Sequence, residues 1–533
     1  MRRLPIGALL ASAALTTAPF SAFLYGTREY VGVGDIWRYP VVAVCAVVAT
    51  GVGVSAIFGR PAGTRTGLVL GWVVFALFWY RDVGAVMDRQ LAFTAIPGEL
   101  AWVLVLIAGI MVIHLFAGVS TFLRAGLLFS LTMAGLPLIQ YGFVSLTAET
   151  GSTERFDVIS AEVWQSRPDI YYLILDGLGR VDVLEEIYEM DLTEFIDVLD
   201  HEGFVVADRA LSAHPMTWLS VPAVLDQEYQ AYPGSRGRPA THFRTNRIMS
   251  GDSRTHDELA GQGYRFVTAT EGGGPFCDLE LSPIRDLAKC LVQGNSMNAA
   301  IRVQLAWMTP FYGLANRGLL PAGVIGWLEA EDLRWTDEKR QGGTFLIGDV
   351  LEAVKSVRRE HGQVPIFVLA HMMHPHPPYL LDSECRPSSH AGFRASVDAW
   401  DDLVGLRMGV DCTRKQILQL IDSISQDAII VLQSDHGPGR GELLGSDSVA
   451  EIPIEDLWTR SSVFSAVRLP EKCRDQVSDT YAGVNTFIVV FNCLAGTQRR
   501  LEPQYSYWAW YADRNVVDVT SRLRQYEVER VRS

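Results

Sequence analysis

The sequence predicts two parts of different material. An α-helical membrane domain of five transmembrane helices comes first, followed by a soluble α/β domain whose mainly parallel sheet is sandwiched by helices. Three observations predict this. Residues 1–150 carry five apolar segments with 9 Arg, no Lys and 6 acidic residues. From about residue 165, short apolar runs alternate with amphipathic stretches, the pattern of a sheet covered on both faces. Several of those runs end in Asp or His, where open α/β sheets keep their ligands. At 533 residues the chain is also too long for one ordinary domain.

The apolar segments cover roughly 5–25, 39–59, 66–80, 98–117 and 125–146. Most approach the length that a helix needs to cross a bilayer. The third is short, but Phe78-Trp79-Tyr80-Arg81 forms an interfacial aromatic and basic belt at its end. The first follows Met1-Arg2-Arg3 like a signal peptide; with four segments after it, it reads as a retained anchor. Arg2, Arg3, Arg60, Arg65 and Arg124 fall on one side of the membrane, and Arg28, Arg38, Arg81 and Arg89 on the other. This bias is weak, and the preferred topology puts the N-terminus inside and everything past residue 150 outside. The domain limits expected are 1–146 for the membrane part, 147–165 for a linker and 166–533 for the soluble part.

Net charge is −14, and the excess of acidic residues lies after residue 150, which argues against a nucleic-acid surface. Of seven Cys, six (Cys277, Cys290, Cys385, Cys412, Cys473 and Cys493) lie in the soluble part. They suit disulfides in an oxidising compartment, or buried free thiols equally well. No CxxC occurs, which disfavours a Cys-based zinc site.

The strand candidates are Ile170–Asp176, Phe204–Ala207, Arg265–Ala269, Ile366–Ala370, Ala428–Gln433 and Val463–Leu469. Val183–Glu189, Leu192–Leu199 and Ile347–Arg358 read as amphipathic helices. Four places carry chemistry. The run Ala428–Gln433 ends in Ser434-Asp435-His436-Gly437, a carboxylate beside an imidazole, which is half of a divalent metal site. The run from Ile170 ends in Asp176-Gly177, where the Asp is either a turn residue or a ligand. A third run ends in His371-Met372-Met373-His374-Pro375-His376-Pro377-Pro378, three imidazoles on a stiff, non-helical backbone. Finally, the loop from Ala210 turns into a helix near Thr217, whose hydroxyl reads as a cap or as a nucleophile.

With these residues in view, the soluble half resembles the alkaline phosphatase superfamily. More narrowly it resembles its membrane-anchored, sulfatase-like phosphotransferases, the lipoteichoic acid synthases and lipid A phosphoethanolamine transferases. Those proteins also place five transmembrane helices before an exported catalytic domain. Asp176 matches the first metal carboxylate, a Glu in those transferases. Thr217, in Thr-Trp-Leu-Ser-Val-Pro, matches their nucleophilic Thr. Asp435 and His436 match the Asp-His ligand pair, and His376 matches the histidine that meets the substrate phosphate. Departures are as informative. Cys385-Arg386-Pro387 imitates a formylglycine motif but lacks its final Arg and lies after the His loop. No His follows His436, which points to one tightly bound metal.

The resemblance implies a single divalent ion, Zn or Mn, held by Asp176, Thr217, Asp435 and His436. His376, with His374 or Arg440, would contact the substrate phosphate. It implies transfer of a phospholipid-derived head group to an envelope glycan or lipid through a phospho-threonine intermediate, at the cell membrane with the catalytic part periplasmic or extracellular. The spans would anchor the enzyme or present its lipid donor. Two alternatives stand beside this reading: a membrane-anchored phosphodiesterase or sulfate-ester hydrolase, and a non-catalytic degenerate relative.

Overall fold

Composition dictates the helical part. Helices α1 (Ile6–Gly26), α2 (Arg38–Phe58), α3 (Arg60–Phe78), α4 (Gly98–Phe116) and α5 (Ser120–Thr150) coincide with the five apolar segments. In this computed structural model, residues 6–27, 33–80, 98–150, 164, 166–233, 242–271, 276, 286–293, 305, 308–311, 323, 345–377, 379–388, 400–439, 449–509 and 516–532 are described. The chain divides into one unit of residues 1–152 with 296–335 and another of 153–295 with 336–533. Leu305, which the sequence reading put in the soluble part, packs in the first unit against Phe20, Phe23, Leu24 and Ile36.

Helices α1, α2, α3 and Ser120–Phe143 within α5 are long and apolar enough to cross a membrane, and Leu100–Phe116 of α4 is a shorter apolar helix. The third segment is longer than its hydropathy suggests: α3 starts at Arg60, not at residue 66. Thr64, Arg65 and Thr66 mask its first turns. Small residues explain why it packs there. A Cβ on Gly63 would come within 2.5 Å of the Gly51 carbonyl oxygen, so α2 and α3 touch backbone to backbone.

In the second unit every predicted strand forms: β1 (Ile170–Leu175), β2 (Phe204–Val206), β3 (Arg265–Glu271), β5 (Ile366–Met372), β6 (Ile429–Gln433) and β7 (Ser465–Arg468). A seventh, β4 (Leu287–Gln293), was not predicted; Lys289 and Gln293 interrupt its apolar pattern at a sheet edge. The order is β2-β7-β6-β1-β5-β3-β4. β7 runs antiparallel to both its neighbours, and the remaining pairs are parallel. All of β1, β5 and β6 is buried, which is why these strands read as continuous apolar runs.

Each face has its own core. Leu173, Leu175, Val368, Ala370, Ile430 and Leu432 pack under the helices α6 (Thr193–His201), α8 (Ile347–His361) and α9 (Leu403–Ser423), which follows α7 (Thr217–Leu225). Ile170, Tyr172, Ile174, Phe367, Leu369 and Val431 face the opposite side, against α7 and against Phe487, Val490 and Phe491 of a later helix.

His256 belongs to this second core. Its ring stacks on Phe266 at 5.2 Å between centroids, and its Nδ1 lies 2.8 Å from the Ser253 hydroxyl. Burial pushes the imidazole down to about 4. In the unfolded chain it titrates near about 6.5. Between those values the unfolded state binds the extra proton, so stability falls as pH drops through that window and is recovered above it. Thermal unfolding of the full chain in detergent from pH 7 to 4 should show a shallower acid loss for His256→Gln than for wild type. Parallel curves would contradict this.

Candidate active site

β1 lies between β6 and β5, and the chain goes from it to β2 on the β6 side before crossing to β3 on the β5 side. The C-terminal ends of these three strands form the crevice where open sheets bind ligands. Register does the rest. Ile174 pairs with both His371 and Gln433. Side chains alternate with period two, so Asp176, His371 and Asp435 project from one face.

The buried carboxylate of Asp176 has its Oδ2 3.2 Å from His371 Nε2 and its Oδ1 3.4 Å from His436 Nε2. His436 Nε2 is also 3.4 Å from Asp435 Oδ2. Asp435 Oδ1 accepts the backbone N–H groups of Gly177 and His436 at 3.2 and 2.9 Å. Ligand atoms of Asp176, His376 and His436 lie within 4.8 Å of one another, as do those of Asp176, His371 and Asp435.

The tautomer of His436 decides what this cluster wants. Its Nδ1 is 3.0 Å from the Gly437 carbonyl oxygen, which only accepts, so Nδ1 carries the proton. The lone pair of Nε2 then points at two carboxylate oxygens. Neither Asp176 Oδ1 nor Asp435 Oδ2 has a hydrogen-bond partner among the described residues. A second proton on His436 is no remedy, because burial and then the Arg460 charge push its pKa well down. Burial and the charge of Asp176 push Asp435 up to about 7, while the hydrogen bonds from Thr217 and Gly177 pull the other way. Burial raises Asp176 too, but His376, His371 and His436 outweigh it and hold that carboxyl well below the usual range. Three buried acceptors converge without a donor. The donor set fits a divalent cation, with nitrogen and oxygen ligands that suit Zn or Mn alike.

Thr217 is the first residue of α7, partly buried, and its hydroxyl lies close enough to Asp435 to help lower that carboxyl's pKa. The other hydroxyls nearby are engaged or recessed. Ser220 donates to the His214 carbonyl oxygen at 2.7 Å and accepts from the His214 N–H at 3.2 Å, so it closes the loop on itself. Ser212 is buried.

His376 points its Nδ1 at the Pro377 carbonyl oxygen, 2.5 Å away, and its ring meets Trp400 edge-on at 4.7 Å. His374 is buried, and burial pushes it down to about 4, so it is neutral at physiological pH. Arg440 lies outside the described residues. The structure thus brings Asp176, Thr217, Asp435, His436 and His376 together and keeps His374 buried beside them.

Three contributors were missed. His371 sits in a recognised strand but was given no role. Its signal is register, which the sequence does not display. Trp400 walls the site: a Cβ on Gly177 or Gly439 would come within 2.5 or 2.9 Å of its ring. A lone Trp carries no motif. Arg460 donates to the Pro215 and Gly437 carbonyl oxygens, also without a linear signal. The cysteines form bonds: Cys385–Cys412 and Cys473–Cys493 are disulfides, and Cys290 is disulfide-bonded as well. Cys385 is therefore not a formylglycine precursor.

No family model matches the chain, and no curated protein does. Among solved structures, the integral membrane lipooligosaccharide phosphoethanolamine transferase A of Neisseria meningitidis aligns over 92% of this chain and 96% of its own, at 13% identity and a TM-score of 0.43. The C-terminal periplasmic domain of EptC from Escherichia coli, in a complex with Zn, covers 67% of this chain and 94% of its own, at 11% and 0.39. A protein of the alkaline phosphatase superfamily from Vibrio parahaemolyticus covers 69% and 81%, at 11% and 0.36. Values this low leave the functional reading to the side chains themselves.

Asp435→Asn removes one of the converging charges. The variant should lose at least about 100-fold in zinc or manganese affinity, since even outer-shell changes cost 10–100-fold. Metal content after chelator competition reads this directly, and wild-type retention in Asp435→Asn would contradict the site.

Proposed function

We propose that the protein is a membrane-bound, metal-dependent phosphotransferase of the alkaline phosphatase superfamily. It moves a phospholipid-derived head group to an envelope glycan or lipid. The observation that carries this reading is the donorless convergence of Asp176, Asp435 and His436 with the Thr217 hydroxyl beside it. Asp176, Asp435, His436 and Thr217 would hold one Zn or Mn. When bound, the ion lowers the pKa of the Thr217 hydroxyl and neutralises charge on the phosphoryl group.

The chain's own groups supply the remaining steps. Asp435, whose carboxyl the Thr217 hydroxyl approaches, accepts the hydroxyl proton. Thr217 Oγ bonds to phosphorus as the bond to the lipid alkoxide breaks, giving a phospho-threonine ester. His376, with Nδ1 tied to Pro377, turns Nε2 toward the leaving oxygen and protonates it. An acceptor hydroxyl then gives its proton to His376 and bonds to phosphorus, and Thr217 leaves as it takes its proton back from Asp435. Arg440 would be a further phosphate contact, as would His374, which is buried two residues before His376.

The apolar helices support a lipid donor, and the disulfides support a catalytic part outside the cytoplasm. In this reading residues 1–146 are the membrane part, 147–165 the connection and 166–533 the catalytic part, with the stretch around Leu305 lent to the first unit.

Thr217→Ala should lower turnover of a labelled phospholipid by at least about a thousandfold, as losing a covalent nucleophile does, and leave the metal largely in place on Asp176, Asp435 and His436. Activity persisting in Thr217→Ala but lost in Ser212→Ala would refute the nucleophile. Release of free head group without labelled acceptor would make the enzyme a hydrolase instead.

A further inference from the structure

The helix α10 (Ile454–Ser461) ends against three of the four segments that carry chemistry. The Gly437 N–H donates to the Arg460 carbonyl oxygen at 2.7 Å, and the Ser212 N–H donates to that of Ser461 at 2.8 Å. The Arg180 N–H, just past Asp176, donates to the carbonyl oxygen of Ser462 at 3.2 Å. Contact at Gly437 is so close that a Cβ there would lie 2.1 Å from the Thr459 carbonyl oxygen.

Arg460 is 4% exposed, and its side chain repeats these ties from within. Its Nε donates to the Pro215 carbonyl oxygen at 2.7 Å and its Nη1 to that of Gly437 at 3.0 Å. Pro215 lies two residues before Thr217, and Gly437 follows His436 directly. One rigid fork therefore spans the nucleophile loop and the ligand loop. Its guanidinium carbon also lies 5.8 Å from the centre of the Trp400 ring, which touches His376. A lysine ammonium is a point charge and cannot hold two carbonyls at the fixed angle of a guanidinium.

We propose that Arg460 is a positioning residue that fixes Thr217 relative to the Asp435–His436 pair. The proposal rests on the functional reading above. Two of the Arg460 nitrogens, Nε and Nη1, are spent on backbone carbonyls. Its role is geometric, and misplacing reacting groups by about 1 Å costs about 100-fold in rate.

The test uses the full chain in detergent, bis(4-nitrophenyl) phosphate as substrate probe, and hydrogen exchange of the loop amides. Arg460→Lys should lower kcat by about 100-fold while KM stays within about threefold. Zinc content should not change. Exchange should rise together in the peptides containing Thr217 and Gly437 while β1 stays protected. Methylguanidinium should restore part of the activity of Arg460→Ala. Wild-type kcat in Arg460→Lys, or exchange rising in only one loop or in neither, would overturn the proposal. If wild type itself fails to cleave the probe, the phosphotransfer reading fails, and the exchange data alone still decide whether Arg460 is the clamp.

Discussion

Electrostatic repulsion among three buried acceptors is the constraint on which the rest of the structure depends. The Nε2 lone pair of His436 faces Asp176 Oδ1 and Asp435 Oδ2, each 3.4 Å away, with no donor between them. Left as they are, two carboxylates this deep cannot both ionise cheaply, and Asp435 responds by rising to about 7. A protein retains such an arrangement when something positive completes it. The central strands hold the groups in place because β6, β1 and β5 are adjacent, parallel and buried throughout.

Around that centre, the chain holds its loops by close backbone contact. Gly177 and Gly439 admit the Trp400 ring, and Gly437 admits the end of α10. The indole then meets both His376 and His436. The loop before α7, the Asp435–Gly437 loop and the loop after β1 share the end of α10 as a common support. Close backbone contacts of this kind fix the distances between the site's side chains, which is what catalysis by positioning requires.

Much of this was legible in the sequence, for physical reasons. Doubly covered parallel strands need apolar residues on both faces, so β1, β5 and β6 announced themselves, and Asp176 and Asp435-His436 could be placed at their ends. The nearness of Thr217 rested on resemblance, because a hydroxyl at a helix start is ordinarily a cap. Other features were not legible. His371 shares a face with Asp176 only through the pairing of Ile174 with His371, and pairing is a long-range property. Trp400 and Arg460 act through contacts with residues far away in the chain. β4 was missed because an edge strand tolerates Lys289 and Gln293, and the start of α3 was missed because glycines pack where apolar side chains were expected. The cysteines left two options open until the structure paired them.

The cluster's proposed chemistry is covalent phosphoryl transfer. Mass spectrometry of the full-length protein, quenched during turnover of a labelled phospholipid in the presence of zinc or manganese, addresses this most directly. The peptide carrying Thr217 should gain the mass of the phosphorylated head group, and the gain should vanish on chelation. An unmodified Thr217 peptide under turnover, or the added mass on a different residue, would contradict it.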